Sequence, residues 1–314
     1  MPVTLLDLAR PAAWTPWWVG VAFVVGLSVA GFVVALPGRG FGMPRWQRVS
    51  RLGLLLALAA GFAAPPCMLA ALARPDRVGL LYTRGEGSWL VSGAMFFPLY
   101  LVALTVFAWA TMRRDLAAAE GRAWLSRLHR LASLGGGGAP QVRQLAMFAA
   151  GGLGVFAMLG VGAELRPAWN NFFLPWHLAV TALAGALGAV LLLDRLADGT
   201  SDPGMTALLS RGTAGVLVVG MALGPESWHA PAVLAEAGAL LAALAGPARL
   251  GWLVGLLAVA AAWAARWGIV MPNTDWTGIQ FFLAPLGLSG LLLALLAGIA
   301  ALTPVLGPRR AEDE

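Results

Sequence analysis

Long apolar runs, almost free of charged residues, follow one another along most of this sequence. They lie at about 17–36, 52–73, 89–112, 144–162, 172–193, 205–224, 230–246, 250–270 and 280–302. A run of about 20 apolar residues is long enough to cross the hydrocarbon core of a bilayer as an α-helix. The pattern therefore predicts an all-α fold, a polytopic transmembrane helix bundle.

The predicted number of spans is eight to nine. The sixth run contains Arg211, and the seventh is short and contains Pro231 and Glu236, so eight spans with one re-entrant segment is an alternative. Of the 314 residues 59% are hydrophobic and 11% are charged, which leaves no room for a soluble catalytic domain. We treat 1–314 as a single integral membrane domain.

The distribution of arginine predicts the orientation. All 21 positive charges are arginines, and 14 of them lie in the loops at 37–51, 113–143, 194–204 and 247–249 and in the C-terminal tail. The N-terminus and the other set of loops hold 5, while Arg211 and Arg266 fall inside apolar runs. Cytoplasmic loops carry the excess of positive charge, so we expect the N-terminus outside. The net charge of +6 then reflects topology, and no nucleic-acid partner is expected.

Ligands for metals are scarce. Cys67 is the only cysteine, which argues against a disulfide framework, an iron–sulfur cluster or a cysteine-ligated zinc site in this chain. A membrane cytochrome b needs paired histidines at facing depths, and of His129, His177 and His229 only His177 falls within a span. We expect neither haem nor any other metal in this chain.

Polar residues near the membrane gather at the predicted outer ends of the spans. Glu164 and His177 lie on either side of the turn between the fourth and fifth runs, and ionisable groups at membrane depth indicate function. We expect them to form a proton-exchanging pair at a lipid-accessible pocket. Such a pocket suits a quinone, whose head group needs hydrogen-bond partners, a proton acceptor and apolar walls. The later outer ends are predicted to carry Glu226, His229, Arg266, Asn273 and Asp275.

Other functions remain open from the residues alone. A small-molecule transporter would place its substrate near the midplane, between two matching halves. The interior holds only the isolated charges Arg211 and Glu236, and no internal repeat is evident, which disfavours transport and predicts no transmembrane proton path. A third alternative is an inert membrane tether for a soluble complex.

Two stretches carry a family pattern. The first is 71–100, ALARPDRVGLLYTRGEGSWLVSGAMFFPLY, and the second is 162–193, GAELRPAWNNFFLPWHLAVTALAGALGAVLLL, with its Arg-Pro-x-Trp-Asn turn; the Ala-Arg-Trp at 265–267 also fits. They resemble helix junctions of the NrfD/PsrC family, the membrane subunits of polysulfide, tetrathionate and related molybdopterin oxidoreductases. Many members have an acidic residue where this sequence has Ala71. A ninth span looks more like the tetrathionate-reductase type of anchor.

The resemblance implies a haem-free anchor subunit in the bacterial inner membrane that binds quinol, either menaquinol or ubiquinol, near the outer face. It would pass electrons to an iron–sulfur subunit, which feeds a molybdopterin catalytic subunit. The quinone-site bundle would lie within about 17–193, with additional spans at about 205–302. Glu164 and His177 are then the expected proton acceptors. The expected quinone contacts are Trp17, Tyr82, Arg166, Trp169 and Asn170, and the expected docking charges are Arg74 and Arg77.

Overall fold

The computed structural model describes residues 16–72, 79, 89–117, 139–169, 173–196, 202–223, 230–271 and 279–302. Within these ranges the chain is nearly all helical and has no strand. The helices there are α1 (Pro16–Ala35), α2 (Gln47–Ala71), α3 (Trp89–Ala117), α4 (Ala139–Trp169), α5 (Leu174–Leu196), α6 (Pro203–Leu223), α7 (Ala230–Ala245), α8 (Gly251–Val270) and α9 (Ile279–Leu302). Each corresponds to one apolar run, which confirms the helical fold class.

Seven of the described helices are long and apolar enough to cross a membrane, namely α1 to α6 and α8. The shorter apolar helices are α7 and the segment Leu283–Ala297 of α9. The chain is therefore a multi-pass membrane protein. The count of eight to nine spans and the outside N-terminus stay predictions.

Helix α1 lies at the centre of the bundle. It packs against α2, α4, α5, α8 and α9, and all of its residues except Pro16, Trp17 and Val33 are buried. Helices α3 and α4 pair with each other at the edge, where apolar side chains such as Val102 and Phe148 are exposed. Apolar side chains on the outside of a bundle suit a lipid environment, because lipid tails solvate them as well as a protein core does.

Glycines allow two pairs of helices to touch at the backbone. A Cβ added to Gly31 of α1 would lie 2.9 Å from the carbonyl oxygen of Gly53 in α2, and the reverse distance is also 2.9 Å. The same relationship joins α5 and α8, where a Cβ on Gly188 would lie 2.6 Å from the carbonyl oxygen of Gly255. Close backbone approach gains dispersion contacts, which drive helix association where hydrophobic burial does not.

Polar contacts hold the end of the bundle at which α1 ends and α2 begins. Arg48 Nε donates to the Asp194 carboxylate at 2.6 Å, which joins α2 to α5. In the connection from α1 to α2, Gly38 N donates to Ser50 Oγ at 2.8 Å. Arg39 Nη1 donates to the carbonyl oxygen of Thr111 in α3 at 3.2 Å. These contacts fix three helices at the arginine-rich end.

One loop predicted from the sequence is mostly helix. The fourth apolar run ends at 162 and the next residues were expected to form a loop at 163–171, whereas α4 continues to Trp169. Glu164 therefore lies inside the last turns of α4 rather than at its end. Hydropathy marks where a helix leaves the apolar layer, and residues such as Glu, Leu and Arg readily continue a helix beyond that point.

Candidate functional site

The helices that carry three of the predicted site residues pack on one another. Trp17 lies at the start of α1, Glu164 near the end of α4 and His177 in the first turn of α5, and each of these helices contacts the other two. Trp17 is 41% exposed. The three helices that carry these residues are therefore neighbours in the bundle.

Several predicted residues lie outside the described part of the chain. Arg74, Arg77, Tyr82 and Asn170 fall in ranges that the structure does not describe. Glu164, Arg166 and Trp169 belong to α4, but their side chains are outside the description. The predicted pairing of Glu164 with His177 therefore stays a prediction, as do the roles of the others.

His177 is fully buried, and its ring orientation is fixed by α6. Its Nδ1 lies 2.8 Å from the carbonyl oxygen of Gly220. A carbonyl oxygen only accepts hydrogen bonds, so Nδ1 must carry the proton. The other ring nitrogen, Nε2, is then the position that can take up a second proton. The contact selects one tautomer of the imidazole.

Thr181 lies one turn further along α5 and extends this polar cluster. Its Oγ1 donates to the carbonyl oxygen of His177 at 2.8 Å. The same hydroxyl oxygen accepts from Arg266 Nη1 at 3.4 Å. Thr181 thereby links the backbone carbonyl of His177 to the guanidinium of Arg266, and the three buried polar residues lie where α5, α6 and α8 meet.

Arg266 holds three helices together inside the bundle. Its Nε donates to the carbonyl oxygen of Ala22 in α1 at 3.2 Å and its Nη2 to that of Leu178 in α5 at 3.0 Å. Its Nη1 also donates to the carbonyl oxygen of Ala262 in its own helix at 2.8 Å. The planar, five-donor guanidinium can reach all of these acceptors at once, whereas an ammonium group cannot.

Among the described residues, backbone dipoles rather than an acid compensate the charge of Arg266. No carboxylate of the described chain lies within ion-pair distance of it, and the residue is only 1% exposed. The ring of Phe23 provides a further contact, with its centroid 5.7 Å from the guanidinium carbon. A buried charge is costly in a membrane, so an arginine kept there indicates a functional or a structural requirement.

Aromatic side chains of α8 continue the cluster toward α1. Trp263 contacts Phe23 edge to face at 5.4 Å and lies 6.4 Å from Trp267, both measured between ring centroids. The indole N–H of Trp263 is buried and has no acceptor among the residues that the structure describes. A buried donor without a partner is unfavourable, so this N–H is a candidate for contact with a bound molecule.

Arg266 was expected among the polar groups at the outer ends of the spans. It lies four residues before the end of α8, and its side chain is buried inside the bundle. An arginine within the apolar run Gly251–Val270 was the available signal. The pattern alone could not show which helices supply the acceptors, because those acceptors are backbone carbonyls.

In the described part of the chain no cluster of metal-binding side chains occurs.

A comparison with models of protein families identifies the family of the chain. A family model described as "Polysulphide reductase, NrfD" matches residues 5–224, which is more than half of the sequence. The chain belongs to the NrfD family. No curated protein matches it.

Members of the NrfD family are membrane subunits that work with redox enzyme subunits. The NrfD match runs from α1 to the end of α6 and includes His177 and Gly220. Helices α7 to α9 lie beyond it, so Arg266 reaches into the NrfD part of the bundle from outside the matched residues. The resemblance predicted from the sequence is confirmed.

Proposed function

We propose that this chain is the haem-free, quinol-binding anchor of a multi-subunit oxidoreductase in the bacterial inner membrane. It takes electrons from quinol near the outer face and passes them to an iron–sulfur subunit docked there. That subunit supplies a molybdopterin catalytic subunit. Membership of the NrfD family supports the anchor role. The observation that supports the quinol role is the single tautomer of His177, at the end of the bundle where α1 and α5 begin and α4 ends.

The proton chemistry follows from that tautomer. Oxidation of a quinol to a quinone releases two electrons and two protons, so the site needs two proton acceptors and an electron acceptor. His177 Nε2 takes one proton while Nδ1 keeps its contact with Gly220. Glu164 is the proposed second acceptor. The electrons would go to the iron–sulfur cluster of the partner. Protons and electrons therefore leave the quinol by different routes.

The remaining residues bind and orient the head group. Trp263 offers an indole N–H to a quinone carbonyl oxygen. The half-exposed Trp17 provides an aromatic wall at the membrane surface of α1. Tyr82, Arg166, Trp169 and Asn170 are proposed as further contacts to the head group, and Arg74 and Arg77 as docking charges for the iron–sulfur subunit.

The decisive experiment separates the two halves of the electron path in the purified complex. His177→Asn keeps an N–H where Nδ1 lies but removes the second ring nitrogen. We expect quinol-dependent turnover to fall by about 10²-fold or more, because a positioned acid–base group contributes about 10²–10⁴-fold. Dye-driven turnover by the soluble subunits should be unchanged. Glu164→Gln should behave in the same way.

A matched control is Gly152→Ala on α4, where an added Cβ meets nothing within 4 Å. It should leave both activities intact. Persistence of quinol-dependent turnover in His177→Asn and Glu164→Gln would overturn the site. Absence of quinone from the purified, fully assembled complex would favour the inert tether instead.

A further inference from the structure

Glu236 is a buried carboxyl group that the proposed quinol chemistry does not use. It is 4% exposed, and it lies on α7, beyond the residues that the family model matches. It interrupts a stripe of small residues along the buried face of that helix. The other members of the stripe are Ala232, Ala235, Ala239, Ala242 and Ala243.

The described residues beside Glu236 on the buried face of α7 are apolar. Its neighbours on the stripe, Ala235 and Ala239, belong to one buried cluster that α5, α6 and α8 complete with Ala184, Leu217, Ala258 and Ala261. Glu236 is six residues from the first residue of α7 and nine from the last. At about 1.5 Å per residue these spacings correspond to about 9 Å and about 13.5 Å along the helix axis. Glu236 therefore lies in the middle part of α7, away from both of its ends.

No described cation compensates a charge on Glu236. The helices that pack against α7 are α6 and α8, and their charged residues are Arg211 and Arg266. Arg211 is exposed, and Arg266 directs its donors to α1, to α5 and to its own helix. On α5, His177 is bound to α6 through Gly220. Glu236 itself forms no hydrogen bond or ion pair within the described ranges.

An ionised carboxylate in such a place would be unfavourable, because the residue is buried and the described residues around it supply no counter-ion. A metal cation would need several oxygen ligands, and the alanines and leucine of the cluster supply none. A proton needs only the carboxyl group. We propose that Glu236 is a proton-binding site inside the membrane, occupied by a proton at neutral pH and independent of the quinol site.

Asp194 is a matched control within the same chain. It is also buried, but Arg48 lies 2.6 Å from its carboxylate and supplies the compensating charge. The two acids differ in the presence of a described counter-ion and in position, since Asp194 is two residues from the end of α5 whereas Glu236 is in the middle part of α7. Asp194 is therefore the comparison for a buried carboxyl group that has a described counter-ion.

The first test is labelling of the complex in its native membranes with dicyclohexylcarbodiimide, which enters lipid and reacts with protonated carboxyl groups. The acid proton moves to one carbodiimide nitrogen, and the carboxyl oxygen bonds to the central carbon. Rearrangement then gives a stable acylurea that peptide mass spectrometry locates. At neutral pH we expect the label on Glu236 and not on Asp194. Loss of that label in Glu236→Gln confirms the position, whereas label on both acids would overturn the role of the counter-ion.

Infrared spectroscopy decides the case even if the reagent cannot reach the carboxyl group. The wild-type complex should show the carbonyl band of a protonated carboxylic acid at neutral pH, and Glu236→Gln should lack it. The variant should assemble in wild-type amounts, since a neutral amide replaces a neutral acid. Identical spectra in that region would overturn the proposal. Retention of quinol-dependent turnover in Glu236→Gln would leave the proposed quinol-binding function unaffected. The proton site and the quinol-binding function can therefore be refuted separately.

Discussion

The guanidinium of Arg266 occupies the space beside Gly26. A Cβ added to Gly26 would lie 2.8 Å from Arg266 Nη2 and 3.1 Å from the Cβ of Ala182. Helix α1 can therefore accept the arginine only because it has no side chain at that position. The glycine on the first helix and the arginine on the eighth form one structural unit, although 240 residues separate them.

Gly26→Ala should destabilise the protein. The added methyl group would displace the guanidinium or push α1 away from α5, and overpacking of this kind costs about 1–3 kcal/mol. Thermal unfolding of the purified protein in detergent measures the loss. Gly152→Ala adds the same methyl group in open space and should unfold like the wild type. Equal unfolding temperatures for the two variants would show that the site relaxes freely.

Arg266→Lys should also destabilise the protein although it keeps the charge. A single ammonium nitrogen cannot bridge Ala22, Leu178 and Ala262 as the guanidinium does. Loss of hydrogen bonds to a charged group corresponds to about 1.5–3 kcal/mol for each bond. Arg211→Lys on the exposed side of α6 is the control and should have little effect. An equally stable Arg266→Lys variant would mean that the charge alone matters there.

Gly188→Ala should be more damaging than Gly26→Ala. Its new Cβ would lie 2.6 Å from the carbonyl oxygen of Gly255, and backbone yields less readily than a side chain. We expect α5 and α8 to separate, which limited proteolysis and unfolding temperature would both report. Gly212→Ala on α6, with nothing within 4 Å of its added Cβ, provides the comparison. A Gly188→Ala protein as resistant as that control would refute the close contact.

The ion pair of Arg48 and Asp194 should contribute little stability. The Arg48 side chain is 42% exposed, and solvent screens such pairs to about 0–1 kcal/mol. A double-mutant cycle with Arg48→Gln and Asp194→Asn isolates the coupling energy. We expect that energy to decrease at high salt. A coupling energy that is several times larger, or insensitive to salt, would show that the pair is shielded from water.

The positions of the helices could be predicted from the sequence because the bilayer imposes a length on every span. The eighth run was expected at 250–270, and α8 runs from Gly251 to Val270. The helix ends outside the apolar layer were less predictable, as the extension of α4 to Trp169 shows. There the sequence is polar in both helix and loop, so hydropathy does not distinguish them.

Hydropathy could not predict which side of each helix faces the protein core and which side is exposed. Val24 is completely buried in α1, and Val102 on α3 is 62% exposed, yet both are apolar residues in apolar runs. Lipid and protein core favour the same side chains, so the pattern contains no information about which one a residue contacts. For the same reason, the histidine of the candidate site was found as an isolated polar residue, while its partner Gly220 was not.

The burial of α1 has a consequence for biosynthesis. This helix is synthesised before α5 and α8, which cover it in the finished protein. Until then α1 must reside in lipid or beside the insertion machinery. Its surface, which carries no charged residue and is apolar apart from Ser28, suits both situations. The acceptors of Arg266 on α1 and α5 are thus synthesised before the arginine itself, whereas α9, which also packs against α1, follows it.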